Sequence, residues 1–266
     1  MVKSLKYWNI IFFISMISIN IIANTLPFGR GSTAEISAKY HSLFTPAPLT
    51  FSIWFVIYLL LGYFIVYQLG VFNEVFANTF ISLIGPWFII SCIMNIGWLF
   101  SFSYEKTFLS MLFMIGLLLS LAIISFRLSP ENVMLTAMEP HIPLFAKICL
   151  YTFDLYFGWI VAATIANMSV LLIKLNWNIF NLSEQFFTVI VLIGGTVLGM
   201  LFVIFSNRFM SSLAIIWAYC GILVNHISRS GYAGAYPVII FVTILGIFLI
   251  LISGIIKELM LMTDIG

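Results

Sequence analysis

The chain has 266 residues, of which 63% are hydrophobic and only 8% charged, and its formal net charge is +2. Soluble domains carry roughly 25% charged residues, so this composition excludes a soluble globular protein and indicates a polytopic integral membrane protein. The few cations are scattered along the chain, which argues against a nucleic-acid-binding surface.

Eight apolar segments are long enough to cross a bilayer. A hydrocarbon core of about 30 Å requires about 20 apolar residues per helix. By that measure the spans lie near 8–27, 51–70, 80–103, 108–127, 146–173, 186–206, 209–226 and 234–257. Backbone groups cannot remain unpaired in lipid, and the segments lack the alternation of a membrane barrel, so we expect an all-α membrane helix bundle.

The first span follows two lysines, Lys3 and Lys6. A signal peptide is the alternative interpretation, but the apolar stretch is too long and no A-x-A site follows it. Counts of Lys and Arg on the two sides are nearly equal. We therefore orient the chain by its first helix and expect both termini in the cytoplasm.

The connection after the first span is polar and ends in Pro46-Ala47-Pro48. Prolines favour an extended segment, after which a helix can begin. Trp54 and Tyr58 then share one face of the second span, at i and i+4. Trp54 fits either a site inside the bundle or the aromatic belt at the membrane interface.

Polar residues inside the third and fifth spans require partners. The third span holds Asn95 and Trp98, and a buried amide is costly unless it is bonded. Pro86 lies near the start of that span, where a helix tolerates it. In the fifth span, Lys147 and Asp154 are seven residues apart on one face, so we expect them to pair or to extend towards the interface.

One face of the fifth span has an unusual composition for a membrane helix. Tyr156, Trp159, Ala163 and Asn167 follow one another at i, i+3, i+7 and i+11. A face with two aromatic rings, one small residue and one amide fits two structures. It can pack tightly against another helix through the Asn167 amide, or it can line a pocket for a flat apolar ligand.

The character of the chain changes after the fifth span. Residues 174–185 form a polar break in which Ser183 is a plausible N-cap and Trp177 is expected to lie away from any site. The sixth span contains Gly195-x-x-x-Gly199, a close-packing face. We expect that face to dock the last three spans onto the first five. The cysteines and histidines lie apart without metal-ligand or disulfide spacing, so we interpret the cysteines as small hydrophobic residues.

Taken together, three motifs resemble the tryptophan-rich sensory protein family, also called TspO or translocator protein. In chain order these motifs are Pro46-x-Pro48 followed by Trp54-x-x-x-Tyr58, then Asn95-x-x-Trp98, then Tyr156-x-x-Trp159-x-x-x-Ala163-Thr164-x-x-Asn167. The resemblance covers residues 1–178 and implies a five-helix TspO-like membrane domain. Residues 179–266 would then be a three-helix C-terminal membrane extension outside the compact family's frame.

The resemblance implies a pocket that opens towards the first connection and takes planar apolar ligands such as porphyrins. Its candidate ligand-binding residues are Trp54, Tyr58, Asn95, Trp98, Tyr156, Trp159, Ala163 and Asn167. We expect no covalent cofactor and no metal. The expected partners are the lipid bilayer and a planar apolar ligand, with a second copy of the chain in a homodimer as a further candidate.

Four functions fit the sequence to different degrees. We expect a ligand-binding sensor or receptor for tetrapyrrole-like molecules in a bacterial cytoplasmic membrane. A transporter of such molecules comes second, because transporters usually show broken helices or buried charges at mid-membrane. A non-catalytic subunit of a membrane complex is a further alternative. An enzyme that degrades porphyrin is disfavoured, because the spans hold no nucleophile–base pair or carboxylate pair.

Overall fold

The computed structural model describes residues 2–25, 29–40, 42–175, 183–206 and 208–263. Within these ranges the chain forms α-helices and no strand, so the predicted all-α bundle is confirmed. A 3₁₀ turn at Pro48–Ser52 leads directly into the third helix. The helices are α1 (Val2–Thr25), α2 (Thr33–Lys39), α3 (Ile53–Tyr67), α4 (Glu74–Ile84), α5 (Trp87–Ser103), α6 (Thr107–Arg127), α7 (Pro130–Ala137), α8 (Leu144–Lys174), α9 (Glu184–Ser206), α10 (Phe209–Ile227) and α11 (Pro237–Thr263).

Seven segments of the described chain are each long and apolar enough to cross a membrane, and α4 and α5 pass the same test only as a bent pair. The described helices thus give seven spans, and the eight that the sequence predicts if the bent pair is counted as one span. The third, however, is not the single helix predicted over 80–103, because α4 and α5 are bent by 60°. Gly85, with a φ of +55°, ends α4, and Pro86, which lacks an N–H, stands before α5.

The contact between α8 and α10 packs the last three helices against the first eight. α8 packs against α3, α6 and α10, while α10 also packs against α9 and α11. Ala214 and Ala218 of α10 belong to the hydrophobic core formed by α1 to α8. In return, Leu43 and Phe44, which precede the 3₁₀ turn, belong to the core among α9, α10 and α11. The boundary at residue 178 stays a prediction, and the packing on its two sides is shared.

Asp154 pairs with a different residue from the one predicted. Its Oδ1 accepts hydrogen bonds from Arg208 Nη1 at 3.0 Å and from Ser125 Oγ at 2.8 Å. Arg208 lies just before α10, is 7% exposed and also donates to the Ser125 carbonyl. Lys147 is exposed. It does not reach Asp154, because seven residues along a helix separate the two by about 10 Å.

The close-packing glycines of α9 also have a different partner. A Cβ on Gly195 would lie 2.5 Å from the Tyr219 hydroxyl of α10, and one on Gly199 would lie 2.7 Å from Ile250 of α11. Gly195 and Gly199 therefore do form a close-packing face, but that face packs against α10 and α11. The prediction that it docks the last three spans onto the first five spans is wrong. α10 makes that approach to α8 instead, at Gly158, where a Cβ would overlap the Ser211 backbone.

One helix cap and one cluster of charged residues stabilise the connections at the side of the bundle where α1 ends. Ser183 Oγ accepts from Phe186 N at 3.3 Å, which confirms it as the N-cap of α9. Glu105, between α5 and α6, accepts from Lys39 Nζ at 2.6 Å and from Tyr40 Oη at 2.9 Å. The hydrogen bond from Lys39 holds the pKa of Glu105 below its ordinary value. The carboxylate thereby ties the connection after α1 to the turn between α5 and α6.

Candidate functional site

Three tryptophans from different helices meet inside the bundle. Trp54 of α3 stacks on Trp98 of α5, with ring centroids 5.6 Å apart and planes inclined by 28°. Its ring also meets Trp159 of α8 edge to face at 6.1 Å and 89°. Both arrangements are favourable for aromatic quadrupoles. We call Trp54, Trp98 and Trp159 the indole cluster.

The indole cluster forms one wall of a narrow cavity between α3, α5, α8 and α10. The centre of a water-sized sphere can occupy about 40 Å³ of it, and one water needs about 10–15 Å³ by such a measure. The cavity therefore has room for a few waters and not for a flat ring system. Its lining residues are Ser37, Phe44, Pro46, Phe51, Trp54, Trp98, Phe102, Trp159, Ala162, Ala163, Ala166, Asn167, Val170, Ala218 and Ile222.

Three of the predicted site residues lie outside this lining, in a chain of hydrogen bonds behind the indole cluster. Tyr58 Oη donates to Asn20 Oδ1 at 2.8 Å, and Asn20 Nδ2 donates to Asn95 Oδ1 at 3.0 Å. Asn95 Nδ2 then donates to Tyr156 Oη at 3.1 Å. These hydrogen bonds link α1, α3, α5 and α8 to one another. The oxygen and the nitrogen of the Asn95 amide both have partners within this chain of hydrogen bonds.

The other predicted amide lies at the cavity itself. Asn167 lines the cavity. Its Oδ1 accepts a hydrogen bond from Ser110 Oγ at 2.9 Å, and its Nδ2 lies 3.4 Å from Met111 Sδ. Both interpretations of the α8 face therefore apply to this residue. It joins α6 to α8, and it also borders the cavity.

Two donors of the indole cluster have no partner within the described chain. The Nε1 atoms of Trp98 and Trp159 are buried without a hydrogen bond to any described group. Buried polar groups in native proteins are nearly all bonded, and one left unbonded costs about 1–3 kcal/mol. A ligand whose acceptor atoms reached these N–H groups would therefore offset this cost.

A wider groove lies on the other side of the indole cluster, between α1 and α3. It has about 350 Å³ of space for the centre of a water-sized sphere. Phe51, Trp54 and Trp98 line both spaces and so form the partition between them. Ile21 and Phe55 at the rim of the groove are 57% and 69% exposed.

The family model described as TSPO-like protein matches residues 6–256. The chain belongs to the TSPO-like protein family. Curated proteins and solved structures gave no match. The resemblance drawn from the three motifs is thus confirmed, and this TSPO-like chain is an integral, multi-pass membrane protein. The matched region includes α9, α10 and most of α11, which the motifs alone placed outside the compact family's frame.

The sequence reasoning missed several residues that line the cavity of this TSPO-like chain. Ala162, Ala166 and Val170 follow Trp159 at i+3, i+7 and i+11, so the helical period alone could have found them. Ala218 and Ile222 come from α10, and no motif marks them. Their place depends on how α10 packs against α8, which a hydropathy pattern does not specify.

Proposed function

We propose that this TSPO-like protein is a receptor in a bacterial cytoplasmic membrane for planar apolar molecules that carry hydrogen-bond acceptors. Tetrapyrroles are the class that the family resemblance implies. The observation that carries the proposal is the indole cluster, whose rings border one cavity and whose Trp98 and Trp159 N–H groups have no partner among the described residues.

The chemistry of the lining favours a flat and uncharged ligand core. Indole faces stack on planar rings, and Ala162, Ala163 and Ala166 leave space beside them. None of the described lining residues is charged. Since an ionised group is costly to bury without a partner, acidic substituents of a tetrapyrrole would have to remain outside the cavity.

The size of the cavity implies that binding includes a conformational change. A space of about 40 Å³ cannot hold a ring system, so part of its wall must move when the ligand enters. Most of the lining belongs to packed helices, whereas Phe44 and Pro46 belong to an irregular segment. Irregular segments generally open at a lower free energy than core helices, so we expect the change at this segment.

Titration with protoporphyrin IX tests the proposal. We expect the purified protein to show saturable quenching of tryptophan fluorescence. Replacing Trp159 with alanine should weaken binding about tenfold or more, because an aromatic contact worth about 0.5–1.5 kcal/mol is lost together with buried apolar area.

The matched control is Trp8→Ala, because Trp8 lies on α1 and is 52% exposed. Trp177, which the sequence suggested as a control, lies outside the described residues. If neither substitution changes the affinity, or if both change it equally, the cavity is not the binding site.

A further inference from the structure

Residues 42–50 follow α2 and include the first three residues of the 3₁₀ turn. We call this segment the lid. The lid supplies Phe44 and Pro46 to the cavity lining. Its residues from Ser42 to Ala47 are all buried, which is unusual for a connecting segment. A buried irregular backbone must find partners for its N–H and C=O groups.

Side chains of α10 supply partners for three lid carbonyls. Trp217 Nε1 donates to Thr50 O at 2.8 Å, and Asn225 Nδ2 donates to Thr45 O at 2.9 Å. His226 Nε2 lies 2.9 Å from Leu43 O. These three residues are spaced along α10 so that they follow the lid from one end to the other.

Further contacts with the last three helices complete the attachment. Ala47 N donates to Gly221 O at 3.0 Å, and Leu43 N donates to a Glu184 carboxylate oxygen at 2.8 Å. Tyr232 Oη, after α10, donates to Ser42 O at 3.1 Å. The backbones are close, since a Cβ on Gly221 would overlap the Thr50 side chain. The last three helices therefore hold the lid over a cavity that lies mainly among the first eight.

We infer that Trp217, Asn225 and His226 are positioning residues that hold the lid closed and so control how fast a ligand exchanges. Calling the cavity a ligand site rests on the proposed function, whereas the attachment of the lid does not. The lid is the irregular part of the described lining, and the cavity is too narrow for a ring unless some part of its wall moves. The last three helices thus act on the site without supplying an aromatic contact to it.

Cysteine labelling measures the opening of the lid without any ligand. Ala47→Cys places a thiol at a buried lid position that is 9% exposed. Cys220→Ser removes the native cysteine that is only partly buried, and the buried Cys149 of α8 serves as the internal reference. In this background, Trp217→Phe removes the donor to Thr50 while keeping an aromatic ring.

Tyr219→Phe is the matched control, because it also removes one donor from an aromatic residue of α10. The Tyr219 hydroxyl bonds to Leu192 O of α9 and not to the lid. We expect Trp217→Phe to accelerate labelling of the lid cysteine about fivefold, the equivalent of one net hydrogen bond. Tyr219→Phe should leave that rate unchanged, and Cys149 should label equally slowly in both variants.

Equal labelling of the lid cysteine in the two variants would overturn the inference, as would parallel acceleration at Cys149, which indicates general loosening. If Trp217→Phe does not fold, as judged by its helical circular dichroism, Asn225→Leu carries the same test by removing the donor to Thr45.

Stopped-flow binding of protoporphyrin IX then separates the two proposals. An opened lid should raise the association and dissociation rates together, with little change in Kd. If the porphyrin does not bind the unaltered protein, the proposed function fails, and the labelling rates still decide whether α10 holds the lid.

Discussion

Replacing Gly158 with alanine should push α8 and α10 apart. The new Cβ would overlap the Ser211 backbone, with the carbonyl carbon at 2.7 Å, so a main chain and not a flexible side chain has to move. Overpacking of this kind costs about 1–3 kcal/mol, whereas alanine in a helix interior gains about 0.5–1 kcal/mol over glycine. Because the obstacle is backbone, we take the upper part of the first range and expect a net loss of about 1–2 kcal/mol. Equilibrium denaturant titration in detergent micelles measures this loss.

Gly194 on α9 provides the control for that measurement. A Cβ at Gly194 meets nothing within 4 Å, so Gly194→Ala should show only the gain in helix propensity, about 0.5–1 kcal/mol. The two variants should therefore shift the unfolding midpoint in opposite directions. A shift in the same direction for both would refute the claim that α10 contacts α8 at Gly158.

Three further predictions follow from the charged groups and from the helix order. Asp154→Asn should lower the free energy of unfolding by about 3–5 kcal/mol, because it leaves Arg208 buried without its counter-ion; an unchanged denaturation midpoint would refute this. The lowered pKa of Glu105 means that its stabilisation is present above its ordinary value of 4.5 and is lost as the pH falls through the folded-state pKa. Unfolding midpoints measured between pH 7 and pH 3 should show that loss, and Glu105→Gln should reduce it. Reporter fusions at the C-terminus and near Glu35 should report opposite sides of the membrane, and the same side for both would contradict eight spans.

The bundle could be predicted because the length and apolarity of a span are local properties of the sequence. The break between α4 and α5 was missed although Gly85-Pro86 is a typical turn signal. The apolar residues continue across this dipeptide, so hydropathy alone merged two helices into one span. The positive φ of Gly85 shows that conformation, and not polarity, ends α4.

The resemblance to the family places Trp54, Trp98 and Trp159 in one pocket, and the structure brings the three rings together. The hydrogen-bond partners of Tyr58, Asn95 and Tyr156 could not be predicted from the sequence. A polar residue inside a span requires a partner, but the residue type does not identify that partner. Only the three-dimensional arrangement shows that they bond in a chain through Asn20.

The same limit applies to charged partners and to the lid. Asp154 and Lys147 looked like a pair because they share a helix, yet Arg208, far along the chain, reaches the carboxylate. The lid lies between α2 and α3 in sequence, and its backbone nevertheless bonds to side chains of α10. Pairing between distant segments depends on how the helices pack, which neither periodicity nor composition encodes.

The most direct test of the central claim compares two flat molecules that differ in their acceptor atoms. Anthraquinone carries two carbonyl oxygens, and anthracene has the same fused rings without them. Tryptophan-fluorescence titration should show tighter binding of anthraquinone by the unaltered protein. Trp159→Phe should weaken anthraquinone binding about fivefold more than anthracene binding, because the smaller ring costs both molecules the same stacking area and only anthraquinone also loses an N–H donor. Equal affinities for the two molecules, or an equal loss for both in Trp159→Phe, would contradict the claim that the ligand is selected by indole N–H groups that lack a partner in the described chain.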